Sequence, residues 1–176
     1  EAVIERVSGG GGTPAMSDSL AKRQAYGNIG DLPVGYLNLS ARVFNSANIS
    51  INNDTVTALT FNSERFDTDN IHSVTANTGR LTIATAGKYA IFGSAAWTSN
   101  ATGIRRLYIR LNGLNYIVVD SVAPGAAVSA YLGVSSYWDF VIGDYVELLA
   151  YQDSGGALNV LASPNESPEF SIVRVS

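Results

Sequence analysis

The chain has 176 residues, a net charge of -4 and no cysteine, with 46% hydrophobic and 15% charged residues. One buried core of ordinary size is within reach at this length, and the apolar content excludes a disordered chain. The missing cysteine excludes disulfides, zinc ribbons, iron–sulfur clusters and thiol catalysis, and the acidic balance offers no broad attraction to nucleic acid or to an anionic membrane.

Residues 1–36 read as an irregular N-terminal arm. "EAVIERV" places Val3, Ile4 and Val7 in a short apolar-alternating piece, and "SGGGG" follows with four glycines that hold neither helix nor strand. No Lys-Ser/Thr follows those glycines and no βαβ unit surrounds them, so they do not make a phosphate loop. "SDSLAKRQAYG" predicts a short helix carrying Leu20 and Tyr26, capped by Ser17 or Ser19 and ended by Gly27. The arm buries little by itself and is expected to order only against a partner. No apolar run reaches the roughly 18 residues of a membrane span, so membrane insertion is not expected.

From Leu37 onward the apolar period becomes two. "RRLYIRL" sets Leu107, Ile109 and Leu111 opposite Arg106, Tyr108 and Arg110. "VSAYLGV" sets Val128, Ala130, Leu132 and Val134 opposite Ser129, Tyr131 and Gly133, and "YVELLAY" sets Val146, Leu148 and Ala150 opposite Tyr145, Glu147, Leu149 and Tyr151. Alternation of this kind marks half-buried strands. Turn residues punctuate them at Asn77–Gly79, Thr85–Gly87, Asn112–Gly113, Ala123–Gly125, Ile142–Asp144 and Asp153–Gly156. Regular strands with such breaks predict an all-β sandwich or barrel over residues 37–176.

One polar stretch asks for a chemical reading. "ERFDTDNIH" gathers Glu64, Asp67 and Asp69 near His72, the single histidine of the chain. A zinc site needs three or four rigid ligands, and only one nitrogen donor is present. A calcium loop needs regularly alternating oxygens, of which Asp67 and Asp69 supply two. No G-x-S-x-G turn accompanies the histidine, so no Ser-His-Asp triad is legible and no catalytic residue is assigned. The preferred reading is turn scaffolding: Phe66 points into the core, while Asp67 and Thr68 bond the local backbone. Calcium on Asp67, Asp69 and His72 is the minor alternative, and no other cofactor is expected.

Several segments together resemble the C1q/tumour-necrosis-factor-like jelly roll. "TAGKYAIFGSAAW" is similar to its G-x-Y-x-F segment through Gly87, Tyr89 and, one place late, Phe92. "GDYVEL" is similar to G-D-x-V-x-L through Gly143, Asp144, Val146 and Leu148. "FNSERFDTDN" matches an early F-x-x-x-x-F/Y-D stretch through Phe66, and "FSIVRV" resembles the last strand from Phe170, without its glycine. "ATGIRRLYIRLNG", "YQDSGGALNV" and "SPEF" give it the flavour of C1q-like knobs on bacteriophage structural proteins.

The resemblance implies a ten-stranded jelly roll that assembles as a homotrimer. An aromatic surplus agrees, with Tyr108, Tyr116, Tyr131 and Tyr151 as interface candidates. It further implies a non-enzymatic knob on the virion surface, decorating a phage capsid, with residues 1–36 attaching it to the major capsid protein or another virion protein. A receptor- or glycan-binding tail-fibre tip is the alternative, and a secreted C1q-like ligand a third reading. For a cell-surface glycan, Trp97, Asn100 and Asp153 are the contact candidates, set against the reading that the tryptophans are core or interface residues.

Overall fold

The computed structural model describes residues 38–176. The expected short helix and the arm residues Val3, Ile4, Val7, Leu20 and Tyr26 lie outside the described residues.

Twelve strands follow in chain order, and no helix occurs among the described residues. They are β1 (Ser40–Phe44), β2 (Ile49–Ile51), β3 (Thr57–Ala58), β4 (Ser63–Asp67), β5 (Arg80–Thr82), β6 (Gly87–Trp97), β7 (Arg105–Leu111), β8 (Asn115–Val122), β9 (Ala130–Phe140), β10 (Tyr145–Gln152), β11 (Leu158–Val160) and β12 (Glu169–Arg174). The count exceeds the expected ten because β2, β3, β5 and β11 are pieces of two or three residues, too short to show a period.

Seven strands form one sheet and five the other. In the first, β9 pairs β6 along its whole length. On its other edge β6 meets β12 and, at Trp97, β11; β1 and β4 continue beyond β12, and β2 lies beyond β11. In the second, β8, β7 and β10 run side by side, with β3 and β5 sharing the far edge of β10. The two sheets face each other as an antiparallel jelly roll.

Alternation explains the core. Leu107, Ile109 and Leu111 of β7 and Val146, Leu148 and Ala150 of β10 point inward from one sheet. Tyr89 and Ile91 of β6, Ala130, Leu132 and Val134 of β9, and Ile172 of β12 meet them from the other. Val128 stands outside the pattern, exposed ahead of β9. Leu149 is buried although it lies on the outward row of β10, between Tyr108 and Ala58 in the register. Phe61 stacks on Phe170 at 5.9 Å, and Tyr89 meets Phe140 edge-on at 5.8 Å.

Among the residues carrying the resemblance, Tyr89, Val146, Leu148 and Phe170 are core. Gly87 opens β6. Gly143 adopts φ +91° in the β9–β10 turn, a conformation that side chains disfavour. Asp144 fixes that turn by accepting from the Val141 amide and from the Asn112 side chain. Two of the phenylalanines carrying the resemblance face outward, one of them, Phe66, against expectation. Phe92 points to solvent, and Ile91 takes the inward place, because the phase of β6 is set by Gly87 and Tyr89. Phe66 is also exposed, and the core phenylalanine of this region is Phe61. A bulge causes this: Arg42 pairs Phe66 and Val43 pairs Glu64, so Arg65 is the extra residue and both Arg65 and Phe66 turn outward.

Candidate functional site

The outer face of the seven-stranded sheet is built row by row from its register. One row crosses Ser135, Phe92, Ser171, Arg42 and Phe66. The next crosses Gly133, Ser94, Glu169 and Phe44, and on the other side Tyr137, Ala90, Val173 and Ser40 lie abreast. Tyr131 and Ala96 close one end. Small residues therefore separate a few large aromatic ones. Phe92 is 49% exposed, Tyr137 58%, Tyr131 66% and Phe66 46%. Aromatic side chains bared together on one face are the composition of protein interfaces.

One charged cluster sits within this face. Arg42 donates through Nε to Glu169 Oε2, and Arg65 donates to Glu169 Oε1, through Nε at 2.8 Å and also through Nη2. Glu169 is thereby 6% exposed although it points outward. The Arg65 guanidinium also lies over the Phe44 ring, 4.5 Å from its centre. The five-stranded sheet repeats the device with Glu147 between Arg80 and Arg110.

The four interface candidates do not share a surface. Tyr131 belongs to the face just described. Tyr108, Tyr116 and Tyr151 stand on the outer face of the five-stranded sheet, where Tyr108 and Tyr116 pack at 5.0 Å and Tyr151 donates to Asp54 at 2.7 Å.

The glycan-contact candidates are occupied otherwise. Trp97 is fully buried, so it offers no face to a sugar; counting in twos from Tyr89 along β6 places it inward. Asn100 accepts from the Thr102 amide through its side chain and from Arg105 through its carbonyl. Asp153 accepts from the Ile104 amide. Arg105, buried by the same alternation as Leu107, ties this loop down by donating to the carbonyls of Asn100, Thr102 and Ile104. Burial pushes its guanidinium pKa down, and Asp153 works against that shift.

The polar stretch at Glu64–His72 is scaffolding. Asp67 gives both carboxylate oxygens to backbone amides: Oδ1 accepts from Asp69 and Ile71, Oδ2 from His72. Thr68 accepts from the Ser40 amide and donates to the Asn38 carbonyl. The buried His72 ring bridges Glu64 at 2.8 Å and the Thr78 carbonyl at 3.1 Å. Among the described residues no three His, Asp or Glu side chains gather to hold a metal ion.

No family model matches the chain. An uncharacterised protein of Acanthamoeba polyphaga mimivirus is 30% identical over 99 residues, covering 52% of this chain and 42% of that protein. The chain thus spans less than half the length of this curated relative. Among solved structures, murine APRIL at pH 8.0 superposes with a TM-score of 0.61 at 10% identity, over 79% of this chain and all of that one. The Eiger TNF of S. frugiperda gives 0.57 at 11%, over 79% and 93%. The globular domain of zebrafish complement 1qA gives 0.50 at 14%, over 77% and 93%. At these identities the likeness is one of fold, and it places the chain in the C1q/TNF-like jelly-roll architecture.

Proposed function

We propose that the chain is a non-enzymatic, homotrimeric knob carried on the surface of a virus particle. The observation that carries the assembly is the bared aromatic face of the seven-stranded sheet, with Phe92 at its centre and Tyr131, Tyr137 and Phe66 around it. Leaving such a face in water forgoes roughly 25 cal/mol for each Å² of apolar surface that association would bury. Three copies are favoured over two by the C1q/TNF-like family that the sequence resembles. The viral relative supports a viral origin, the resemblance to phage knobs is what suggests a place on the particle, and on this reading residues 1–36 make the attachment to a capsid or other virion protein.

Sedimentation velocity of the full chain tests the assembly. The expected species has three times the 18.6 kDa chain mass. Phe92→Asp and Tyr137→Asp, both at exposed positions where the fold tolerates a charge, are expected to shift it to monomer. A wild-type chain that stays monomeric across micromolar to millimolar concentration refutes the reading. Immunogold labelling of purified particles tests the location, and unlabelled particles refute it.

A further inference from the structure

At the Phe44 end of the same sheet, the loop after β11 approaches the end of β1. A hollow of about 270 Å³ opens there between Phe44, Arg65 and the Ala162–Asn165 segment. Its volume lies just under the roughly 300–1,000 Å³ of drug-sized sites, so it has room for one ring rather than a chain of rings. We infer that this hollow binds a single carboxylated sugar unit, a uronic or sialic acid residue of a glycan, with its carboxylate on Arg65.

Arg65 is the only charged side chain among the described residues lining the hollow. Its guanidinium is held in place twice, by Glu169 at its Nε and Nη2 edge and by the Phe44 ring beneath it. Nη1 makes no hydrogen bond among the described residues. An arginine fixed in this way loses little freedom on meeting a carboxylate, the partner its planar donors fit best. The bulge that turns Arg65 outward is therefore what supplies the charge.

The remaining lining suits the rest of a sugar. Pro164 offers an apolar patch for the C–H face of a pyranose ring. The Ser46 hydroxyl accepts from the Asn62 side chain, which leaves its own proton to donate. The Ser163 hydroxyl donates to Glu166, which leaves its lone pairs to accept from a sugar hydroxyl. Asn165 is exposed, and its side chain makes no hydrogen bond among the described residues. Arginine, an apolar patch, two hydroxyls with spare hydrogen-bonding capacity and one amide thus line a space of one ring. Phe44 and Arg65 also lie on the face proposed for assembly, so the titration is run on the Phe92→Asp chain as well as on wild type, which separates failure of the site from its occlusion by assembly.

Amide and arginine side-chain shifts in a ¹⁵N-labelled full-length chain, titrated with sodium glucuronate, test it. The expected result is saturable movement of Ser46, Arg65 Nε, Ser163 and Asn165, with a dissociation constant in the low millimolar range and at least tenfold weaker binding of glucose. Arg65→Gln is expected to abolish the shifts. Ala162→Phe fills the hollow, keeps both arginine–Glu169 pairs and is expected to do the same. No movement at these residues overturns the proposal, as does sodium acetate binding as well as glucuronate, which would mark a bare anion site. Undiminished binding by Ala162→Phe overturns it too.

Discussion

Gly93 offers a sharp test of how closely the two sheets approach. It lies mid-way along β6 on the inward side, facing Leu148 of the opposite sheet. A methyl group built there would stand 3.1 Å from Leu148 Cδ2 and 3.3 Å from Cγ, and closer still to Cδ1, inside the 3.0 Å that real contacts do not pass. Leu148 is fully buried within the core, so its side chain can yield only by moving its packed neighbours. Overpacking of this kind costs about 1–3 kcal/mol, against which alanine regains roughly 0.5–1 kcal/mol of backbone preference over glycine. Gly93→Ala is thus expected to lose about 1–2 kcal/mol, a fall in melting temperature of roughly 3–6 °C for a domain of this size. Leu148→Ala alone is expected to cost about 2–5 kcal/mol through its cavity. In the double variant the new methyl enters that cavity, so the pair should be no less stable than Leu148→Ala, giving a coupling of about 1 kcal/mol or more. Thermal unfolding followed by circular dichroism, at one fixed chain concentration because assembly shifts the midpoint, measures all four species. A single variant that melts with wild type, or two penalties that simply add, would refute the steric argument.

Asp67→Ala removes the acceptor of three backbone amides and is expected to cost about 2–3 kcal/mol in urea unfolding, with hydrogen exchange at Asp69, Ile71 and His72 at least tenfold faster. Unchanged exchange at those amides would contradict the scaffolding role. The Tyr151 phenol, held protonated first by its hydrogen bond to Asp54, has its pKa pushed up to about 12. Because the folded value is raised above the ordinary 10.0, its contribution to stability is complete below pH 10 and is lost as pH rises through about 12. Ultraviolet titration should show late ionisation of Tyr151 and of Tyr89, which burial raises; the Tyr151 step disappears in Tyr151→Phe and moves back toward the ordinary range in Asp54→Asn, and an identical curve for Asp54→Asn would break the assignment.

Local sequence carried the central strands well. Leu107, Ile109 and Leu111 point inward as their alternation requires, and the glycine- and asparagine-bearing turns lie between strands. The same counting reaches further. From Tyr89 it buries Trp97, and from Tyr131 it places Tyr137 on the same outer face six residues later. What local pattern does not contain is the bulge at Arg65. It is a mismatch between two paired strands, and no residue in "SERFD" demands it, so Phe66 reads as a core residue until β1 is laid beside it. The Arg42–Glu169–Arg65 cluster was invisible for the related reason that its members come from opposite ends of the jelly roll.

The position of β12 has a consequence for how the domain is made. This strand lies between β1 and β6, so the first strand of the jelly roll joins its sheet only through one of the last. During synthesis β1 emerges with its edge toward β12 unfilled, and β6 and β9 can pair while that gap stays open. The sheet closes only after Arg174 has cleared the ribosome, and pairings this distant in sequence form slowly, on the millisecond-to-second scale of all-β domains. The aromatic face crosses the same gap, with Phe92 and Arg42 on either side of Ser171. That face is therefore complete only once β12 is in place.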